Sequence, residues 1–159
     1  MKISFDIDDT LVLHQSESPI EPVMVPWLFR LFFRERVRLG TSELFHRLQE
    51  AGHELLVYTT SFRGPMHVKW WLRFYGARIR KVINETHHQK WVVPRYRGES
   101  WPSKHPGLFG IDLHIDDSLG VHAEGRRNGF RTLVVEPTDR DWVAKILDGV
   151  RYLEENVDR

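Results

Sequence analysis

Residues 2–11 have the sequence KISFDIDDTL. The first part, residues 2–5, alternates polar and apolar side chains, as a short strand does. Asp6, Asp8 and Asp9 follow directly, so this strand ends in a loop rich in carboxylates. Acidic side chains at the carboxyl end of a strand are typical of an open parallel sheet, in which ligands bind in the crevice beyond the strand ends.

The rest of the chain alternates between strand and helix patterns. Apolar runs predict four further strands, and helical spacing with Gly and Pro punctuation predicts three helices. The strands are expected over 55–58, 79–83, 111–115 and 132–135, and the helices over 41–51, 66–75 and 139–156. Residues 84–106 are rich in polar residues and prolines and are expected to form a long loop with some local structure. The alternation predicts an α/β, Rossmann-like three-layer sandwich with a central parallel sheet of about five strands.

Length and composition narrow the class of protein. The 159 residues suit one domain, so residues 1–159 are expected to fold as a single unit. There is no cysteine, which excludes a disulfide framework, a thiolate zinc site and a cysteine nucleophile. The net charge of +1 gives no global field that would recruit nucleic acid. No apolar run is long enough to span a membrane, and the early acidic residues do not fit a signal peptide, so we expect a cytoplasmic location.

Polar side chains follow three of the predicted strands. Asp6 and Asp8, Thr59, and the pair Asp116-Asp117 each lie at a carboxyl end, where parallel strands converge. Several carboxylates in one pocket repel one another, and a divalent cation offsets that repulsion. All-oxygen ligation suits Mg²⁺, which also binds substrate phosphate, and a carboxylate can attack phosphorus directly. The sequence therefore predicts a magnesium site for phosphoryl chemistry.

The same residues carry a family resemblance. The stretch Asp6-Ile7-Asp8-Asp9-Thr10 resembles the first motif, DxDxT, of the haloacid dehalogenase (HAD) superfamily. Thr59 resembles the Ser or Thr of the second motif, Lys104 resembles the third-motif lysine, and Asp116-Asp117 resembles the acidic fourth motif. The motifs occur in the expected order and cover residues 2–117. The resemblance implies a HAD-like fold.

The resemblance also implies a role for each matching residue. Asp6 would be the nucleophile and a metal ligand, and Asp8 would protonate the leaving oxygen and then activate water, with its backbone carbonyl touching the metal. Thr59 would bind a phosphoryl oxygen, and Lys104 would balance charge. Asp117 aligns best with the metal-binding acid, and Asp116 would either support the metal ligands or bind the metal in place of Asp117. Because family phosphatases carry the second Asp of the first motif, the implied activity is a Mg²⁺-dependent phosphomonoester hydrolase that forms an aspartyl-phosphate.

Two motif positions each have a second candidate residue. Thr60 follows Thr59, and a slip of one residue would reverse which side chain faces the site. Lys90 is the rival of Lys104 for the third-motif role. We expect Thr60 and Arg63 to bind the substrate, a small phosphorylated molecule, although Arg63 could instead form a surface ion pair.

Residues 14–40 form an insertion between the first two motifs. They carry three prolines and then a basic, aromatic stretch that contains Arg30, Arg34, Arg36 and Arg38. Such a stretch fits a membrane-surface or partner-binding helix, or a small cap over the site, and the resemblance favours the cap. The insertion is short, so the expected type is small-cap or capless. The aromatic residues of 27–33 could form a homodimer interface.

Two alternatives to a phosphatase remain. One is a HAD-type phosphotransferase, and the other is a partner-binding module that uses residues 20–40. Two further patterns have ordinary explanations: His87-His88 is expected in a polar loop, and Trp70, Trp71 and Phe74 are expected to pack on the sheet.

Overall fold

A parallel sheet of five strands forms the centre of the protein. The structure, a computed structural model, describes residues 1–14, 18–96 and 100–157. The strands are β1 (Lys2–Phe5), β2 (Glu54–Tyr58), β3 (Ile79–Ile83), β4 (Leu113–Asp116) and β5 (Thr132–Val134). Their order is β3-β2-β1-β4-β5, and every neighbouring pair is parallel. The predicted sheet is confirmed.

Helices cover both faces of the sheet. They are α1 (Thr41–Glu50), α2 (Pro65–Arg73), α3 (Glu85–Trp91), α4 (Leu119–Asn128) and α5 (Trp142–Val157). The main core lies on one face, where α1, α2 and α5 contribute side chains such as Phe45, Trp71 and Ile146. A smaller cluster with Leu56 and Tyr58 lies on the other face, beneath α3. These layers form the expected three-layer sandwich.

The strand order places the carboxyl end of β1 at a switch point. From β1 the chain passes to β2 and β3 on one side, and later to β4 and β5 on the other. Crossovers that leave a central strand in opposite directions open a crevice at its carboxyl end. The backbone N–H of Asp6 still donates to the carbonyl of Ile115 on β4, at 2.9 Å. Asp6 is therefore fixed at the start of this crevice.

Several hydrogen bonds and packing contacts attach the insertion to the rest of the chain. Its residues 15–17 lie outside the described part of the chain. Glu21 accepts hydrogen bonds from the backbone N–H groups of Gly40 and Ser42, so it caps the start of α1. The indole of Trp71 donates to the carbonyl of Glu35 at 3.0 Å. Arg38 is buried, lies 4.8 Å from the Trp142 ring and donates to the carbonyls of Glu136 and Asp139.

Residues 84–106 contain more regular structure than the sequence predicts. Asn84 accepts a hydrogen bond from the backbone N–H of His87 and so caps the start of α3, and two 3-10 turns follow at Val93–Tyr96 and Pro106–Phe109. His88 is a buried helical residue bound to Tyr58, so the expectation of a polar loop was wrong for the pair. Residues 97–99 lie outside the described part.

The sequence patterns missed one helix and misplaced one aromatic side chain. Helix α4 was not predicted, although Ser118 caps its start and Gly129, with a φ of 72°, ends it. Trp71 is buried as expected, but Trp70 is 55% exposed, because α2 presents only one side to the sheet.

Within the described residues, no helix is both long and apolar enough to cross a membrane.

The close contact between α4 and the chain after it gives a test of the packing. A Cβ at Gly125 would lie 2.7 Å from the backbone oxygen of Phe130. We expect Gly125→Ala to lower the free energy of unfolding by about 1–3 kcal/mol in urea titrations, because the backbone cannot easily give way. Ala123→Gly in the same helix is the control and should cost about 1 kcal/mol through helix propensity alone. Propensity would make Gly125→Ala stabilising, so a gain in stability would contradict the packing.

Candidate active site

A buried lysine joins two carboxylates at the carboxyl edge of the sheet. Lys104 Nζ lies 2.9 Å from Asp6 Oδ1 and 2.6 Å from Asp116 Oδ2. All three side chains are almost completely buried. Burial alone would lower the pKa of Lys104, but Asp6 and Asp116 outweigh it and hold the pKa above its usual range. The lysine is therefore a fixed positive charge between β1 and β4.

The carboxylate of Asp116 is held by three donors. Its Oδ2 accepts from Lys104 and from His114 Nε2 at 2.9 Å, and its Oδ1 accepts from the backbone N–H of Ser118 at 2.9 Å. Burial alone would raise the pKa of Asp116, but His114 and Lys104 hold it well below its usual range. Asp116 is thus an ionised anchor for the lysine.

A serine on the central strand orients His114. Ser4 and His114 are paired across β1 and β4, and Ser4 Oγ lies 2.8 Å from His114 Nδ1. The carboxylate can only accept, so Nε2 carries the proton and Nδ1 accepts from the serine hydroxyl. Burial holds the pKa of His114 below its usual range, in keeping with a neutral ring. The chain Ser4–His114–Asp116 therefore fixes the direction of the Asp116 carboxylate.

Three carboxylates form an acidic cluster, namely Asp6, Asp116 and Asp117. One oxygen of each lies within 4.8 Å of the others. Burial raises the pKa of Asp6 despite Lys104, and burial together with Asp116 raises the pKa of Asp117. Lys104 forms an ion pair with Asp6 Oδ1 but is not angled to donate a hydrogen bond, so no residue in the described part of the chain donates to this buried oxygen. These oxygens fit a hard divalent cation. Asp6 and Asp117 are the better candidates to bind it, because Asp116 already accepts three hydrogen bonds.

Asp8 is bound by a different set of partners. Arg63 donates to both of its oxygens, at 2.7 and 2.8 Å, and His14 Nε2 lies 2.8 Å from Oδ1. The same guanidinium donates to both oxygens of Glu35, at 3.1 and 2.5 Å. The hydrogen bonds from Arg63 hold the pKa of Asp8 below its usual range. Arg63 therefore links Asp8 to the insertion.

The rival candidates occupy different environments. Thr59 is buried at the end of β2, where its hydroxyl contacts Ser61, whereas Thr60 is exposed. Lys90 is exposed on α3, with its ammonium group 5.3 Å from the Trp91 ring. Only Lys104 of the two lysines contacts the acidic cluster.

The contacts that orient Asp116 and that hold Asp8 were not predicted from the sequence, although His114 was expected to pack or hydrogen-bond within its strand. Ser4 and His114 are polar residues inside two buried strands, and that mismatch with their surroundings was the available signal. Glu35 and His14 lie in the insertion, which has no periodic pattern, so no signal placed them beside Asp8.

Comparison with known proteins agrees on the fold. No family model matches the sequence, and no curated protein matches it. Among solved structures, one similar fold is the HAD domain of the effector protein Lem4 from Legionella pneumophila, solved as an inactive mutant. The two structures align with a TM-score of 0.51 at 10% sequence identity, over 98% of this chain and 93% of that one. The chain has the HAD fold.

Two other structures show related likenesses. A chain of the Pnkp1/Rnl/Hen1 complex has a TM-score of 0.51 at 11% identity, over 84% of this chain and 45% of that one. The HAD-fold chain described here thus spans less than half of that protein's length. A HAD family hydrolase from Deinococcus radiodurans R1, with bound phosphate and sodium, has a TM-score of 0.45 at 17% identity, over 90% of this chain and 86% of that one.

The Ser4–His114–Asp116 chain can be tested by a double-mutant cycle. Ser4→Ala and His114→Leu should each lower the free energy of unfolding by about 1–3 kcal/mol, because each leaves a buried polar group without its partner. Combined, they should cost less than their sum, with a coupling of about 0.5–3 kcal/mol in urea titrations. Additive losses would mean that the two side chains act independently.

Proposed function

We propose that the protein is a phosphomonoester hydrolase that uses Asp6 as its nucleophile. The observation that carries this proposal is the buried pairing of Asp6 with Lys104 beside Asp116 and Asp117. A phosphoryl group brings negative charge, and a fixed ammonium group beside a carboxylate offsets the repulsion between that carboxylate and the phosphate. The HAD fold is in keeping with this role.

In the first step, an Asp6 oxygen attacks phosphorus and the bond to the leaving oxygen breaks. The leaving oxygen takes a proton from Asp8, and an aspartyl-phosphate on Asp6 results. In the second step, a water gives a proton to Asp8 and attacks the same phosphorus, which releases inorganic phosphate and free Asp6. Lys104 remains protonated throughout, and Thr59 is assigned to a phosphoryl oxygen.

Asp8 cannot play this part while Arg63 occupies both of its oxygens. Four of the five N–H groups of Arg63 would be satisfied by Asp8 and Glu35 in this arrangement. An anionic group of the substrate would compete with Asp8 for the guanidinium. In this proposal, the substrate anion therefore displaces Asp8 from Arg63 as it binds. Exposed Thr60 lies close in sequence on the same loop and is a second candidate to bind the substrate.

The acidic cluster is assigned to Mg²⁺. Asp6 and Asp117 would hold the ion, with Asp116 as the anchor of Lys104 or an alternate ligand and with the backbone carbonyl of Asp8 as a further ligand. When bound, the ion supplies positive charge that offsets the charge on the phosphoryl oxygens.

The chemistry predicts a specific loss of activity. Wild-type protein should release inorganic phosphate from members of a broad panel of small phosphomonoesters when Mg²⁺ is present. Asp6→Asn should reduce the rate at least about a thousandfold, because it removes the nucleophile. Asp148→Asn, which changes an exposed carboxylate on α5, should leave the rate unchanged. Phosphate release by Asp6→Asn at the wild-type rate would refute the assignment.

Metal binding can be tested without activity. Saturating Mg²⁺ should raise the thermal midpoint, and a concentration of 100 times Kd corresponds to about 2.7 kcal/mol of stabilisation. Asp117→Asn should lose most of the rise, whereas Asp148→Asn should keep it. An equal rise in both variants would place the ion elsewhere.

A further inference from the structure

The insertion presents a group of exposed apolar side chains. Trp27 is 75% exposed, Leu28 62%, Leu31 74% and Phe32 71%. We call these four residues the aromatic surface. Isolated exposed apolar residues are common on monomeric proteins, but a contiguous apolar patch marks an interaction site.

The outward direction of these side chains is fixed by their neighbours. Phe29 and Phe33 pack on Phe74 of α2, with ring centroids 5.9 and 5.6 Å apart, and Phe33 also lies 4.8 Å from the His67 ring. Phe29 and Phe33 thus contact α2, whereas each residue of the aromatic surface is more than half exposed. The anchors at Glu21, Glu35 and Arg38 hold the ends of the segment against the domain.

Two arginines adjoin the aromatic surface in the sequence: Arg30 lies between Leu28 and Leu31, and Arg34 follows two residues after Phe32. Arg30 and Arg34 are exposed, and each uses its Nε–H on a local carbonyl, that of Val25 at 3.1 Å and that of Leu31 at 3.2 Å. No carboxylate among the described residues forms an ion pair with either guanidinium. The nearby Glu35 is bound to Arg63, and Glu21 is occupied at the start of α1. The surface is therefore apolar and cationic, and none of residues 1–14, 18–96 and 100–157 supplies a counter-ion for it.

We propose that the aromatic surface binds an anionic phospholipid bilayer. Trp and Phe favour the interface between headgroups and acyl chains, and Leu28 and Leu31 add aliphatic area that enters the same layer. Arg side chains can extend from such a surface to the lipid phosphates. The proposal concerns binding alone and does not depend on phosphatase activity.

Two other occupants fit less well. A symmetric dimer built on this surface would bring two copies of the same cationic patch together, so that four arginines would share one interface, and like charges in an interface are costly. Single-stranded nucleic acid would stack on Trp27 and Phe32, but the two leucines offer no stacking face. An anionic bilayer matches the aromatic, aliphatic and cationic side chains together.

The aromatic surface is joined directly to the candidate active site. It is followed by Glu35, which pairs with Arg63, and Arg63 in turn holds Asp8. A bilayer bound at this surface would therefore contact the segment that leads, through Glu35 and Arg63, to Asp8.

Vesicle co-sedimentation tests the proposal. The full chain should bind vesicles of phosphatidylcholine mixed with phosphatidylserine at low salt, and bind far less to phosphatidylcholine alone. Arg30→Glu with Arg34→Glu should weaken binding about twenty-fivefold or more, since each arginine near a charged membrane contributes roughly a factor of five. The matched control, Arg78→Glu with Arg131→Glu, reverses two exposed arginines at the amino edge of the sheet and should bind like wild type.

A second pair of variants separates the apolar contribution. Leu31→Ser with Phe32→Ser should lose binding, whereas Tyr152→Ser, which removes an exposed ring on α5, should not. Absence of wild-type binding to either vesicle, or equal binding by the Arg30/Arg34 variant, would overturn the proposal. So would a dimer in light scattering that the Leu31/Phe32 variant abolishes, or a single-stranded oligonucleotide that displaces the protein from vesicles.

Discussion

The ion pairs of Lys104 are the interaction on which the site depends. A buried ammonium group and a buried carboxylate are each costly alone, so Lys104, Asp6 and Asp116 stabilise one another only as a set. The set joins the central strand β1 to its neighbour β4 and brings the segment before the turn at Pro106–Phe109 to the carboxyl edge of the sheet. The two carboxylates already outnumber the one ammonium group, and Asp117 adds a third carboxylate to the cluster. That excess is the physical reason to expect a cation.

The adjacent acids Asp116 and Asp117 have different environments. Asp116 is saturated by Lys104, His114 and the backbone of Ser118, while Asp117 is half-buried beside it. Asp8 belongs to a second network, with Arg63 and Glu35, which leads out to the insertion. Asp6, the proposed nucleophile, is thus held by the sheet, whereas Asp8, the proposed proton-transfer residue, is linked through Arg63 to a segment that contacts solvent. A change in the insertion can therefore reach Asp8 without disturbing Asp6.

The strands and the meeting of Asp6 with Asp116 were predictable because parallel strands bring their carboxyl ends to one edge. Lys104 was favoured over Lys90 because only a short turn separates it from β4.

Helices α3 and α4 were missed because their caps, Asn84 and Ser118, lie among polar residues that also fit loops. The Glu35–Arg63–Asp8 network was beyond prediction, since it joins residues far apart in sequence through a segment without periodicity. Trp70 was misplaced because helical spacing alone does not tell which side of α2 meets the sheet.

The central claim is that Asp6 becomes covalently phosphorylated. The most direct measurement is the mass of an Asp8→Asn variant after brief incubation with Mg²⁺ and an aryl phosphate, whose leaving group needs no proton. Without Asp8 to activate water, the intermediate should persist, and the protein should gain the mass of one phosphoryl group, located by peptide mapping on Asp6. A phosphoryl group on another residue, or release of phosphate at the wild-type rate with no adduct at any time, would contradict the two-step mechanism.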